Sequence, residues 1–112
     1  MRTSRVLGFL AMGAVGAAVA AGPPDEGKSV YETVCMTCHG ADGRGALPGV
    51  PDFTKKDGVL AEPDDVLLKH IIDGFQSPGS AVPMPPKGGD PSLTEGQLRA
   101  VIRYLRQQFG GQ

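Results

Sequence analysis

Two cysteines and a histidine carry the first recognisable chemistry in this sequence, in the stretch Cys35-Met36-Thr37-Cys38-His39. Residues spaced i and i+3 lie about one helical turn apart on one face, and the next residue projects close beside them. That arrangement suits a flat cofactor held covalently along one edge and coordinated from below, which is how C-x-x-C-H attaches a c-type haem. Two other chemistries use the same residue types. A redox disulfide of thioredoxin type expects a βαβ pattern, which this chain does not show. A structural zinc needs four ligands, and after Cys35, Cys38 and His39 the spare candidate is the distant His70.

The elements around the motif read as helices joined by long loops. After a Pro23-Pro24 breaker, Asp25-Glu26 opens a helix of about ten residues, its acids placed where a helix N-terminus favours them. Val30, Tyr31 and Val34 form an apolar stripe that runs into Cys35. Gly27 is the odd residue there, costing about 1 kcal/mol against Ala, so close packing of a second helix is its expected use. From Gly40 to Leu60 the prolines and glycines are too dense for regular structure, and Phe53 inside this loop is a candidate packing residue for the cofactor. Pro63, Asp64 and Asp65 open a second helix that closes at Gly74, with Leu67, Leu68, Ile71, Ile72 and Phe75 as its buried stripe and His70 off that stripe, partly exposed. The last helix starts at Thr94, with Gln97 completing a capping box and Leu93 and Leu98 a hydrophobic staple. Leu98, Val101, Ile102, Leu105 and Phe109 line one face, Arg99, Arg103 and Arg106 the solvated one, and Gly110-Gly111 ends it.

Between the second and last helices lies a long loop, 76–92, that holds Val82-Pro83-Met84-Pro85-Pro86. Loops of this length without structure are usually functional or disordered. Prolines on both sides of Met84 restrict the backbone and lower the entropy lost in presenting a thioether at a fixed point.

The 112 residues make one small domain at most, and their start is different in kind from the rest. Arg2 and Arg5 precede an apolar and glycine run from Val6 to Ala21, with Ala18-Val19-Ala20 at its end. This order reads as a secretory signal peptide, residues 1–20, cut after Ala20. The run falls short of the roughly 20 apolar residues of a spanning helix, so stable membrane insertion is not expected. The domain is then 21–112. With 11 basic and 12 acidic side chains, and Arg2 and Arg5 leaving with the leader, the balance is mildly acidic and opposes nucleic-acid binding. There is no Trp, and five aromatic residues, Tyr31, Phe53, Phe75, Tyr104 and Phe109, remain after the leader. A core this thin needs a staple, and both cysteines are committed to the motif.

Cys35, Cys38 and His39, with the glycine-rich Gly40-Ala41-Asp42-Gly43-Arg44-Gly45 behind them, resemble the haem-attachment region of class I cytochromes c. The Met-Pro pair at Met84-Pro85 resembles that family's distal ligand loop. Gly27 and Tyr31 on the first helix, with Val101 and Tyr104 on the last, resemble its crossing helix pair. The resemblance implies an all-α cytochrome c fold: three main helices and long loops wrapped around one covalently attached haem c. It implies thioether bonds at Cys35 and Cys38, with His39 and Met84 as the proximal and distal iron ligands. In the family a loop proline carbonyl orients the proximal histidine, and here Pro48 and Pro51 both qualify.

The implied function is a periplasmic one-electron carrier and not an enzyme, a monomer serving redox protein partners: a donor, and an acceptor such as a terminal oxidase or peroxidase. Ala81, Val82 and Pro83 are expected to form its docking contact, with Lys87 and Arg44 setting orientation. Two other readings are a haem subunit of a larger dehydrogenase or oxidase complex, and a sensor or peroxidase with an open sixth site. The thin core also means that the unattached polypeptide is largely unfolded. A Cys35→Ala, Cys38→Ala double variant is therefore expected to show no cooperative thermal transition by circular dichroism, and a native-like melt would refute this.

Overall fold

A computed structural model describes residues 24–110, with the isolated positions Gly8 and Gly13. The leader expected over 1–20 otherwise lies outside the described residues. The first helical run is longer than its sequence pattern suggests. Helix α1, Pro24–Val30, passes into a wider π turn at Tyr31–Cys35, and α2, Met36–His39, carries the second cysteine and the histidine. One wide turn admits an extra residue, which rotates α2 by about 100° relative to the face set by α1. Tyr31 is thereby buried at 1% exposure while Cys35 and His39 line a cleft.

Helix α3 spans Asp64–Asp73, with Asp64 and Asp65 in its first turn and Pro63 as the extended residue before it. Helix α4 spans Glu95–Gln108. Its start matches the sequence pattern: Gln97 N–H donates to Thr94 Oγ1 at 3.2 Å, and Thr94 N–H donates to Gln97 Oε1 at 2.9 Å. Short 3-10 turns occupy Val59–Ala61 and Pro86–Gly89. Among the described residues there is no strand, only one antiparallel bridge between Phe75 and Met84. The architecture is all-α, as expected of a cytochrome c fold.

Helix α1 crosses α4 at Gly27. A Cβ built there would overlap the Ala100 carbonyl and lie 3.1 Å from Tyr104 Cβ. The partner backbone is thus Ala100, with no exposed surface, rather than the Val101 that the sequence pattern singles out. Tyr31 meets Tyr104 as expected, ring centroids 5.4 Å apart. Below the crossing, Val30, Tyr31, Leu98, Val101, Leu105 and Phe109 join one core with Leu60, Leu67 and Leu68 of the middle segment.

Two readings of the sequence are corrected here. Ile72 and Phe75 do not extend the buried face of α3; they are 37% and 44% exposed. The helix ends at Asp73, and Gly74 at φ 78° turns the chain away before Phe75. Arg106 is only partly solvated, its side chain 34% exposed. Its Nε donates to Asp64 Oδ1 at 2.7 Å, Nη1 to the Leu60 carbonyl at 2.7 Å and Nη2 to the Glu62 carbonyl at 2.8 Å. A planar fork can satisfy three acceptors at once, so this residue ties α4 to the segment leading into α3.

The Gly27 contact sets a clear expectation. Gly27→Ala gains helix propensity of about 1 kcal/mol, but its methyl must push backbone, and overpacking of this kind costs roughly 1–3 kcal/mol. The variant should unfold at lower denaturant, and an unchanged or raised urea midpoint would refute the close crossing.

Candidate functional site

The elements enclose a largely apolar cleft. Its inner part is walled by residues such as Phe53, Leu60, Leu67, Leu98 and Val101. Its outer part opens between Val50-Pro51 and the Val82–Pro85 segment. Cys35, His39 and Met84 line both parts, and Cys38 lines the outer one. All four residues that sequence singles out therefore reach one cavity.

Cys35 and Cys38 are half-buried free thiols. Burial, and secondarily the neighbouring Cys38, pushes the Cys35 thiol up to about 11. The βαβ unit that a thioredoxin-type disulfide expects is absent among the described residues. Among the described residues no three His, Cys, Asp or Glu side chains converge as a metal cluster would require.

His39 ends α2, and the loop behind it folds back onto the motif. Gly45 N–H donates to the His39 carbonyl at 2.9 Å and Ala46 N–H to the Cys38 carbonyl at 2.8 Å, satisfying carbonyls that a helix end leaves open. Phe53 N–H donates to the Gly43 carbonyl at 2.8 Å, and the Phe53 ring stacks on the His39 imidazole, centroids 4.6 Å apart and 16° from parallel. This ring holds the histidine. His39 Nδ1 is buried with no hydrogen-bond partner, so neither the Pro48 nor the Pro51 carbonyl accepts from it. Burial pushes the imidazole pKa down, favouring the neutral ring, the form that binds metals.

Met84 is held through its backbone. Its N–H donates to the Phe75 carbonyl at 2.7 Å, and Phe75 N–H returns a bond to the Met84 carbonyl at 3.0 Å. The Phe75 ring in turn stacks on His70 at 4.3 Å. His70 is half-buried, as its position on the helix predicts, but it lines the cleft together with its neighbour Ile71 and with Leu67, one turn earlier on α3. Lys87, read as a docking charge, instead lines the inner cleft and donates from Nζ to the Leu93 carbonyl at 2.9 Å. Phe53, read from the sequence as a packing residue for the cofactor, lines the inner cleft and also supports the histidine.

Comparison with known proteins agrees with this geometry. The family model for cytochrome c oxidase, cbb3-type, subunit III matches residues 22–105. Cytochrome c-555 of Chlorobaculum thiosulfatiphilum is 33% identical over 79 residues, covering 70% of this chain and 88% of that one. Cytochrome c-551 of Stutzerimonas stutzeri is 29% identical over 100 residues, covering 87% and 92%. The cbb3-type cytochrome c oxidase subunit CcoP of Rhodobacter capsulatus is 33% identical over 98 residues, covering 80% of this chain but 32% of that subunit. The chain belongs to the class I c-type cytochromes.

Membership of that family implies a haem c with its iron, and this cytochrome's residues fit one. The cleft is lined mostly by apolar and aromatic side chains, as sites for organic ligands are. Two thiols one turn apart open into it, and an imidazole with an orphaned buried nitrogen stands beside them. An unpaired buried polar atom costs about 1–3 kcal/mol, which is consistent with a ring placed for a ligand rather than for the protein's own packing.

The motif is braced from behind by Tyr31, whose hydroxyl donates to the Gly40 carbonyl at 2.5 Å. Burial, then Cys35, Tyr104 and Asp42, pushes this phenol well above its usual range. Between the unfolded value near 10 and the higher folded one, the folded state holds more protons. Its contribution is intact below about pH 10 and is lost as pH rises beyond it. Tyr31→Phe should lower neutral stability by about 1 kcal/mol and flatten the alkaline fall in the urea midpoint. Parallel alkaline limbs for the two proteins would refute the assignment.

Proposed function

We propose that this cytochrome is an exported one-electron carrier, with Cys35 and Cys38 bonded to one haem through thioethers and His39 and Met84 as its axial ligands. The observation that carries this reading is the two-way backbone pair between Phe75 and Met84, which presents the thioether to the cleft that His39 enters. When bound, the haem supplies a one-electron Fe(III)/Fe(II) change. His39 and Met84 would both hold the iron, so a small molecule would reach the metal only after Met84 leaves. That argues for a carrier rather than an enzyme or gas sensor. A thioether in place of a second imidazole raises the potential, which suits delivery of electrons to a terminal oxidase or peroxidase from an upstream donor protein.

Residues 1–20 act as the cleaved leader, and 21–112 form the mature, monomeric domain in the periplasm. Among the described residues no helix is long and apolar enough to cross a membrane. Ala81, Val82 and Pro83 are exposed, Val82 at 47%, with Val82 and Pro83 lining the outer cleft, and together they form the docking contact. The match to an oxidase subunit favours one other reading, a haem c subunit held in a larger oxidase complex. Co-purification at native salt separates the two, because a free carrier elutes alone.

The deciding measurement is the optical spectrum of the mature holoprotein. The ferric form should show a weak band near ~695 nm, as in methionine-ligated cytochromes c, and Met84→Ala should abolish it. A high-spin ferric spectrum with ready carbon monoxide binding on reduction would overturn the ligand assignment.

A further inference from the structure

Lys87 stands out on backbone geometry. Among the described residues it is the one non-glycine with positive φ, 53°, and Gly88 continues the left-handed turn at 64°. A lysine pays sterically for that region, and such outliers persist where surrounding contacts over-determine them. Those contacts are present. Lys87 Nζ donates to the Leu93 carbonyl, the Lys87 carbonyl accepts from Asp90 N–H at 3.2 Å, and Gly88 N–H donates to the Pro85 carbonyl at 3.1 Å. A Cβ on Gly88 would meet Val34 Cγ1 at 2.8 Å, so the turn lies against the helical run just before Cys35. Lys87 itself lines the inner cleft with Met84 and Leu93.

Met84 therefore lies between two fixings. Upstream is its backbone pair with Phe75, next to Gly74, where a Cβ would crowd the Met84 carbonyl. Downstream, only Pro85 and Pro86 separate it from Lys87. Proline has a fixed φ, so two in succession transmit a displacement of the Lys87 turn to Met84 with little slack.

The geometry points to Lys87 as a positioning residue for the axial thioether: its left-handed turn and its Nζ bond to Leu93 fasten the downstream end of the Met84 segment to the start of α4. This rests on the reading of Met84 as the sixth ligand. Lys87 touches neither reacting atoms nor partner in this role; it sets how readily Met84 leaves.

The test is stopped-flow binding of imidazole to the ferric holoprotein, a reaction that waits for Met84 to depart. Lys87→Met keeps the stem and removes the donor. Losing one hydrogen bond from a charged group corresponds to about a tenfold faster capture of imidazole, with a weaker ~695 nm band. Lys87→Arg, which retains a donor, should stay within about threefold of wild type. Should Lys87→Met not accumulate, Lys87→Gly, which relaxes the turn and loses the bond, is expected to behave the same way. Arg106→Ala is the control, since it loosens the fold at α3 and α4 without touching the Met84 segment. An unchanged rate in Lys87→Met, or an equal rise in Arg106→Ala, overturns the positioning role while leaving the ligand assignment intact. A wild-type protein without the ~695 nm band overturns the ligand assignment and this role with it.

Discussion

The crossing of α1 over α4 at Gly27 and Ala100 is the contact on which the rest of this molecule depends. Without a Cβ at the crossing, helix backbones approach closely enough for Tyr31, Tyr104 and Phe109 to close into one aromatic cluster. That cluster sets the height at which α2 presents Cys38 and His39. It also anchors α4, and the Leu93 carbonyl used by the Met84 segment lies just before the start of that helix. One close approach thus fixes the motif and, through a rigid helix, the segment facing it.

The few aromatic rings are placed almost entirely in support of the site. Phe109 touches Tyr31 on one side and Phe53 on the other, and Phe53 carries the His39 ring. The histidine is thereby oriented by a flat apolar surface, while its buried ring nitrogen is left without a partner. Burial keeps the imidazole neutral. The apolar wall and the lowered basicity have one origin, the absence of water, and both suit a nitrogen that donates its lone pair to a metal.

Much of this was legible in the residue order, where short-range rules apply. The C-x-x-C-H spacing, the Thr94 and Gln97 capping box, the α4 stripe and a methionine between prolines are local patterns with local causes. What escaped depends on partners far along the chain. Arg106 reads as a surface residue because the carbonyls of Leu60 and Glu62 that engage it lie more than forty positions away. His70 sits where a helical wheel places it, yet a wheel does not show that a cleft opens on that side. Phe75 continues the apolar stripe in sequence, but Gly74 breaks the helix first and redirects it to pair with Met84. The wide turn at Tyr31–Cys35 has no compositional mark at all; it lets one run serve both the helix crossing and the cofactor cleft.

The Phe75 and Met84 backbone pair has a consequence for how this surface can vary. It closes residues 76–83 into a loop whose two ends are already held together. For such a loop, doubling the length costs only about 0.6 kcal/mol of closure entropy. Insertions, deletions and exchanges of sequence there would alter the rim of the outer cleft while the thioether stays in place. The fold thus separates the part free to diversify from the part that must not move, and the boundary between them is two hydrogen bonds wide.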